Sequence, residues 1–130
     1  MGYYFSKTVD IPFEAAVQKV VEALKQEGFG VLTEIDVQAT LKKKLDVDFR
    51  PYKILGACNP PFAYKALQAE RMIGAMLPCN VIVQEAGEGK TEVAAVDPVA
   101  SMQAIGNNVD LKEIAEKVRL KLKAVVDQMG

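Results

Sequence analysis

The residues of this chain whose types and spacing could do chemistry are two cysteines, an asparagine before paired prolines, and an aspartate before a proline. Cys58 ends an apolar run directly before Asn59-Pro60-Pro61. That tripeptide is a helix start, with Asn59 as cap and Pro60 in the first turn. The partial positive charge at a helix N-terminus favours a thiolate, so Cys58 is expected to be the more reactive thiol. Cys79 opens a later apolar segment, after Leu77-Pro78. If the two segments are neighbouring strands, both sulfurs reach one end of a sheet, on its buried side. There they could form a reversible disulfide, or hold a soft metal ion with a thioether from Met72, Met76 or Met102. The plainer reading is packing: free cysteine is among the most buried residue types, and buried cysteines are usually inert. The spacing is not that of a CxxC motif.

The other candidates also carry two readings. Asn59 and Pro60 could present backbone N–H groups to an anion at the helix start, but the prolines remove donors and a plain cap explains them as well. Asp97, before Pro98, could serve as an acid–base carboxylate or as a turn residue bonded to its own backbone. Lys42-Lys43-Lys44 is either an anion site or a dipole-matched helix end. Gly87-Glu88-Gly89 joins two strands, and so is not a phosphate loop. The chain has no histidine, which removes Ser-His-Asp and Cys-His catalysis, histidine-ligated zinc and the usual neutral-pH proton shuttle.

The elements that must position these residues follow from periodicity. Residues 3–9 read as a strand. Pro12 to Gly28 reads as a helix with Phe13, Ala16, Val17, Val20, Val21 and Leu24 on one stripe. Val31 to Asp36 reads as a strand, and Asp36 caps a short helix. Val47 to Cys58 reads as a strand bent at Arg50-Pro51, and the helix from Pro60 follows. Cys79 to Glu85 and Thr91 to Val96 form a hairpin, residues 99–108 a connecting loop, and Asp110–Met129 a closing helix. The order β-α-β-(short α)-β-α-β-β-α, with amphipathic strands, predicts one α+β domain over 1–130. Its sheet is single, curved and mainly antiparallel, with helices packed on one face.

The 130 residues are 50% hydrophobic, and 16 basic residues face 17 acidic ones. The balance leaves no electrostatic footprint for nucleic acid and no basic patch for an anionic membrane surface. No apolar run approaches the roughly 20 residues of a membrane span. The first residues lack the regions of a signal peptide, and two cysteines are too few for a disulfide framework, so a cytoplasmic setting is expected.

Three ordered blocks carry a family resemblance: Tyr52-Lys53-Ile54-Leu55-Gly56-Ala57-Cys58-Asn59-Pro60, then Leu77-Pro78-Cys79-Asn80-Val81, then Val96-Asp97-Pro98. With the N-terminal strand and first helix, they resemble the bacterial and archaeal family catalogued as domain of unknown function 302. The resemblance implies a TATA-binding-protein-like α+β fold and brings no established activity, substrate or cofactor. Some members of that family have other residues where this chain has Cys58 and Cys79, so a two-thiol chemistry would belong to a subgroup.

These readings give three functional expectations. The first is a small non-enzymatic binding or interaction domain, self-associating as a homodimer through a free strand edge and open to a small-molecule ligand. The second is a thiol-based redox or soft-metal module using Cys58 and Cys79. The third is a carboxylate enzyme around Asp97. No cofactor is identified, and none is required by the sequence.

Overall fold

The computed structural model describes residues 2–130. Five strands form one sheet: β1 (Tyr4–Val9), β2 (Gly30–Asp36), β3 (Tyr52–Cys58), β4 (Cys79–Gly87) and β5 (Lys90–Val96). Their order is β1-β5-β4-β3-β2, and every neighbouring pair is antiparallel. The helices are α1 (Phe13–Gln26), α2 (Val37–Leu45), α3 (Pro60–Ala69), the short α4 (Pro98–Ser101) and α5 (Val109–Asp127), with 3₁₀ turns at Ile73–Met76 and Met102–Ile105. The α+β order expected from the sequence is the order found.

The alternation of the strands decides where the core lies. Leu55 and Ala57 of β3, Val81 and Val83 of β4, and Val93 and Ala95 of β5 point to one face. There they meet Ala16, Val17, Val20 and Leu24 of α1 and Val118, Leu122 and Val125 of α5. Each helix buries one stripe because its apolar residues recur at the helical period. A chain reversal after α1 makes this layer compact. Gly28 takes a left-handed φ of 87°, and the N–H of Phe29 donates to the Leu24 carbonyl at 2.9 Å, which closes the helix and buries Phe29. On the opposite face of the sheet Tyr4 of β1 is exposed.

Two segments differ from the sequence expectation. The third strand begins at Tyr52, not Val47. Asp46 ends α2 in the left-handed region, and Pro51 has no N–H to give a ladder. The stretch 99–108 is not a plain loop: Asp97 starts α4 by accepting the Val99 N–H at 3.0 Å, and a 3₁₀ turn follows. No helix among the described residues is long and apolar enough to cross a membrane.

Candidate functional site

Antiparallel pairing brings the C-terminal ends of β3 and β5 and the N-terminal end of β4 to one end of the sheet. Those are the ends that carry Cys58, Asp97 and Cys79. At this end the chain forms a cavity of about 330 Å³ that is open on one side. Its floor is Ala57, Cys58 and Cys79, and its walls are Phe62, Ala63 and Ala66 of α3 and Ile114, Ala115 and Val118 of α5. Leu77, Pro78, Pro98 and Met102 close the side next to the two 3₁₀ segments, and Phe29, just before β2, and Leu32 of β2 also line it. The wall is almost wholly apolar, and no lysine, arginine, aspartate or glutamate lines it.

Space remains here because the residues facing it are small. α3 buries only Ala66, and Ala57, Ala63 and Ala115 add little volume. Gly56 lets the chain after the 3₁₀ turn come close: a Cβ at this position would run into Thr33 Oγ1 and lie 2.7 Å from the Pro78 ring. Pro78, which follows a cis peptide bond, thus sits against β3 at the cavity's edge.

Both cysteines line this one cavity, and both are half-buried free thiols rather than sealed core residues. β3 and β4 are neighbours, as expected, but the register pairs Cys79 with Ala57, while Cys58 lies across from Gly30. The two thiols are therefore offset by one residue along the pleat, and no disulfide joins them. Burial pushes the Cys79 thiol up to about 11, and the nearby Cys58 adds to the rise. A thiol with that pKa is protonated at neutral pH and is a poor nucleophile. Met102 shares the cavity with the cysteines, whereas Met72 and Met76 do not line it. No group of three His, Cys, Asp or Glu side chains among the described residues is placed to hold a metal.

Asn59 holds the N-cap position and Pro60 the first helical position of α3, but the Asn59 side chain makes no cap bond. Its Nδ2 instead donates to the Glu27 carbonyl at the end of α1, at 3.3 Å. Asn59 is 8% exposed and lines the cavity. Asp97, 6% exposed, has both oxygens engaged: Oδ1 receives the Val99 N–H, and Oδ2 meets Arg119 Nε at 3.2 Å. Arg119 also lies over the Phe5 ring, 5.0 Å from its centre. Asp97 thus pins α4, α5 and β1 together behind the cavity wall, and Pro98 carries the wall itself. The lysine run ends α2 far from this site, with Lys42 paired to Asp46 and Asp48.

Sequence reasoning singled out Cys58, Cys79, Asn59 and, as one of three thioether candidates, Met102, and missed Phe62, Ala66 and Ile114. Ile114 falls at the helical period of the closing helix, with Leu111 and Val118, and so reads from the sequence as core. The alanines of α3, at i and i+3, were the one signal that a helix face had been left thin.

Comparison with known proteins was consistent with this architecture. The family model described as domain of unknown function DUF302 matches residues 5–129. The crystal structure of an uncharacterized conserved protein DUF302 from Bacillus stearothermophilus is similar over 100% of both chains, at 31% identity and a TM-score of 0.91. No curated protein matches the chain.

Proposed function

We propose that this chain, which belongs to the family described as domain of unknown function DUF302, is a small non-enzymatic binding domain whose ligand occupies the cavity beneath α3. The cavity itself carries this reading. At about 330 Å³ it falls within the range of small-molecule pockets, roughly 300–1,000 Å³. Its walls are apolar, and apolar walls are poor hosts for water, so an apolar guest gains both dispersion contacts and relief from wetting.

The test is titration with Nile red, an uncharged dye that fluoresces in apolar surroundings. Saturable binding is expected in the wild type, and Ala66→Phe, which fills the space under α3, should weaken it at least tenfold while circular dichroism stays unchanged. Absence of saturable binding, or equal binding by a folded Ala66→Phe protein, would overturn the proposal.

The shared cavity also favours a second reading, a soft-metal site at Cys58 and Cys79 with Met102 as thioether. A metal would have to displace the tightly held proton of Cys79, so affinity should rise with pH. Titration with Ag(I) against Cys58→Ser and Cys79→Ser distinguishes it from simple packing. Self-association as a homodimer is proposed through a free strand edge, β1 or β2, the two edges of the sheet. Sedimentation at micromolar concentration tests that. Two free thiols suit a cytoplasmic, reducing setting.

A further inference from the structure

Resting on this reading of the cavity, we infer that its ligand is an uncharged apolar molecule with one hydrogen-bond donor, which Asn59 Oδ1 receives.

The sequence around Asn59 explains why that oxygen is free. An N-cap asparagine ordinarily turns its side-chain oxygen to an N–H of the first helical turn. Here the first two helical residues, Pro60 and Pro61, have no N–H to offer, and the side chain makes no cap bond. It turns instead to the end of α1, where Nδ2 donates to the Glu27 carbonyl. That bond fixes the amide: the reverse orientation would set two carbonyl oxygens against each other. Oδ1 must therefore point away from Glu27. Among the described residues no donor of the chain reaches it, neither thiol included, although Asn59 is more than nine-tenths buried. It is not a sealed orphan either, because no buried side-chain oxygen or nitrogen in the described residues is both enclosed and unpartnered. Asn59 lines the cavity, so a guest seated there can approach its oxygen.

The rest of the wall sets the other terms. With no charged side chain lining the cavity, an ionised ligand would lose its hydration without gaining a partner. An acceptor group on the ligand would meet Oδ1 as a like dipole. A hydroxyl or amide N–H satisfies both the ligand and Asn59, and leaving either unpaired is what discriminates.

The experiment compares probes of one shape on the wild-type protein, by displacement of Nile red: 2-naphthol, which has a donor; 2-methylnaphthalene, its isostere without one; and 2-naphthoate, which is charged. The expected result is that 2-naphthol binds about tenfold more tightly than 2-methylnaphthalene, despite the greater cost of removing a hydroxyl from water, and that 2-naphthoate binds more weakly than either. In Asn59→Ala the advantage of 2-naphthol should vanish, the ratio of the two affinities falling to within threefold of one. Equal or reversed affinities of the isosteres in the wild type, or failure of all three to displace bound dye, would overturn the inference and leave the cavity reading standing. Failure of the dye itself to bind would remove the cavity reading beneath it. The wild-type comparison stands even if Asn59→Ala fails to fold.

Discussion

The same face of one sheet is treated in two ways. Under α1 and the C-terminal part of α5 it is filled: Ala16, Val20, Leu24, Leu122 and Val125 are fully enclosed against Val81, Val83 and Val93. Under α3 and the N-terminal part of α5, a second and smaller cluster of Ala66, Ile73 and Leu111 forms, and a cavity is left between it and the first. Both regions use amphipathic helices on a half-buried sheet. The difference lies in volume, with branched side chains interlocking in one and alanines facing alanines in the other. Stability is thereby concentrated in the first region, which frees the second to stay open.

The largest expected effect separates the two regions directly. Leu24 is 0% exposed in the filled half, so Leu24→Ala should cost about 2–5 kcal/mol. Leu67 is 45% exposed and lines the cavity. Leu67→Ala should cost less than about 1 kcal/mol, because little area returns to water. Urea unfolding of both variants checks the contrast, and equal losses would break it.

Next comes the hinge between them. Asp97→Ala removes the α4 cap and the partner of Arg119 together. Since Arg119 is partly exposed and can rehydrate, a loss of about 1–3 kcal/mol is expected. Arg119→Ala should cost less than Asp97→Ala, as it leaves the cap intact. The reverse ranking in urea unfolding would show that the ion pair, not the cap, holds α4.

The legibility of the two regions in the sequence follows the same division. The α1 stripe from Phe13 to Leu24 could be read because each apolar residue repeats the helical period. The antiparallel sheet could be read because Cys79–Glu85 and Thr91–Val96 alternate about a tight turn. The cavity could not, because it is made by small residues drawn from β3, α3, α5 and two 3₁₀ turns, and no period links them. Asn59 shows the limit most clearly. Its type and the prolines after it spell a cap, but the Glu27 carbonyl that captures its side chain lies 32 positions away in the chain. The one-residue offset of Cys58 from Cys79 likewise depends on register, which strand alternation alone leaves open.

A smaller effect is pH-dependent and belongs to the open region. Burial raises the Cys79 thiol from its ordinary value of 9.0 to about 11. A raised folded-state value means that the folded protein holds the proton more tightly than the unfolded chain. The contribution is therefore fully present below pH 9 and is lost as pH rises through 11. The loss should be on the order of 2 kcal/mol. Urea midpoints of the wild type and Cys79→Ala, measured between pH 8 and 11.5, should converge by that amount. A constant difference across the range would mean that Cys79 meets solvent freely through the cavity.

The smallest expected effect falls where the two regions touch. Gly28 ends α1 at a φ of 87°, and a Cβ there would lie 3.1 Å from Asn59 Nδ2. Gly28→Ala should therefore cost about 1 kcal/mol from the left-handed backbone alone. The contact adds a second consequence, because the Asn59 amide must give way by a few tenths of an ångström or release the Glu27 carbonyl. The two consequences have separate readouts. Backbone strain lowers the urea midpoint and leaves probe binding unchanged, whereas a displaced Asn59 amide also reduces the preference of the cavity for 2-naphthol over 2-methylnaphthalene. A Gly28→Ala protein with slightly lower stability and a reduced donor preference would show that the filled half holds the polar group of the open half in place. Lower stability with the preference intact would show that Asn59 keeps its orientation by other means, and that the two regions are independent at their junction.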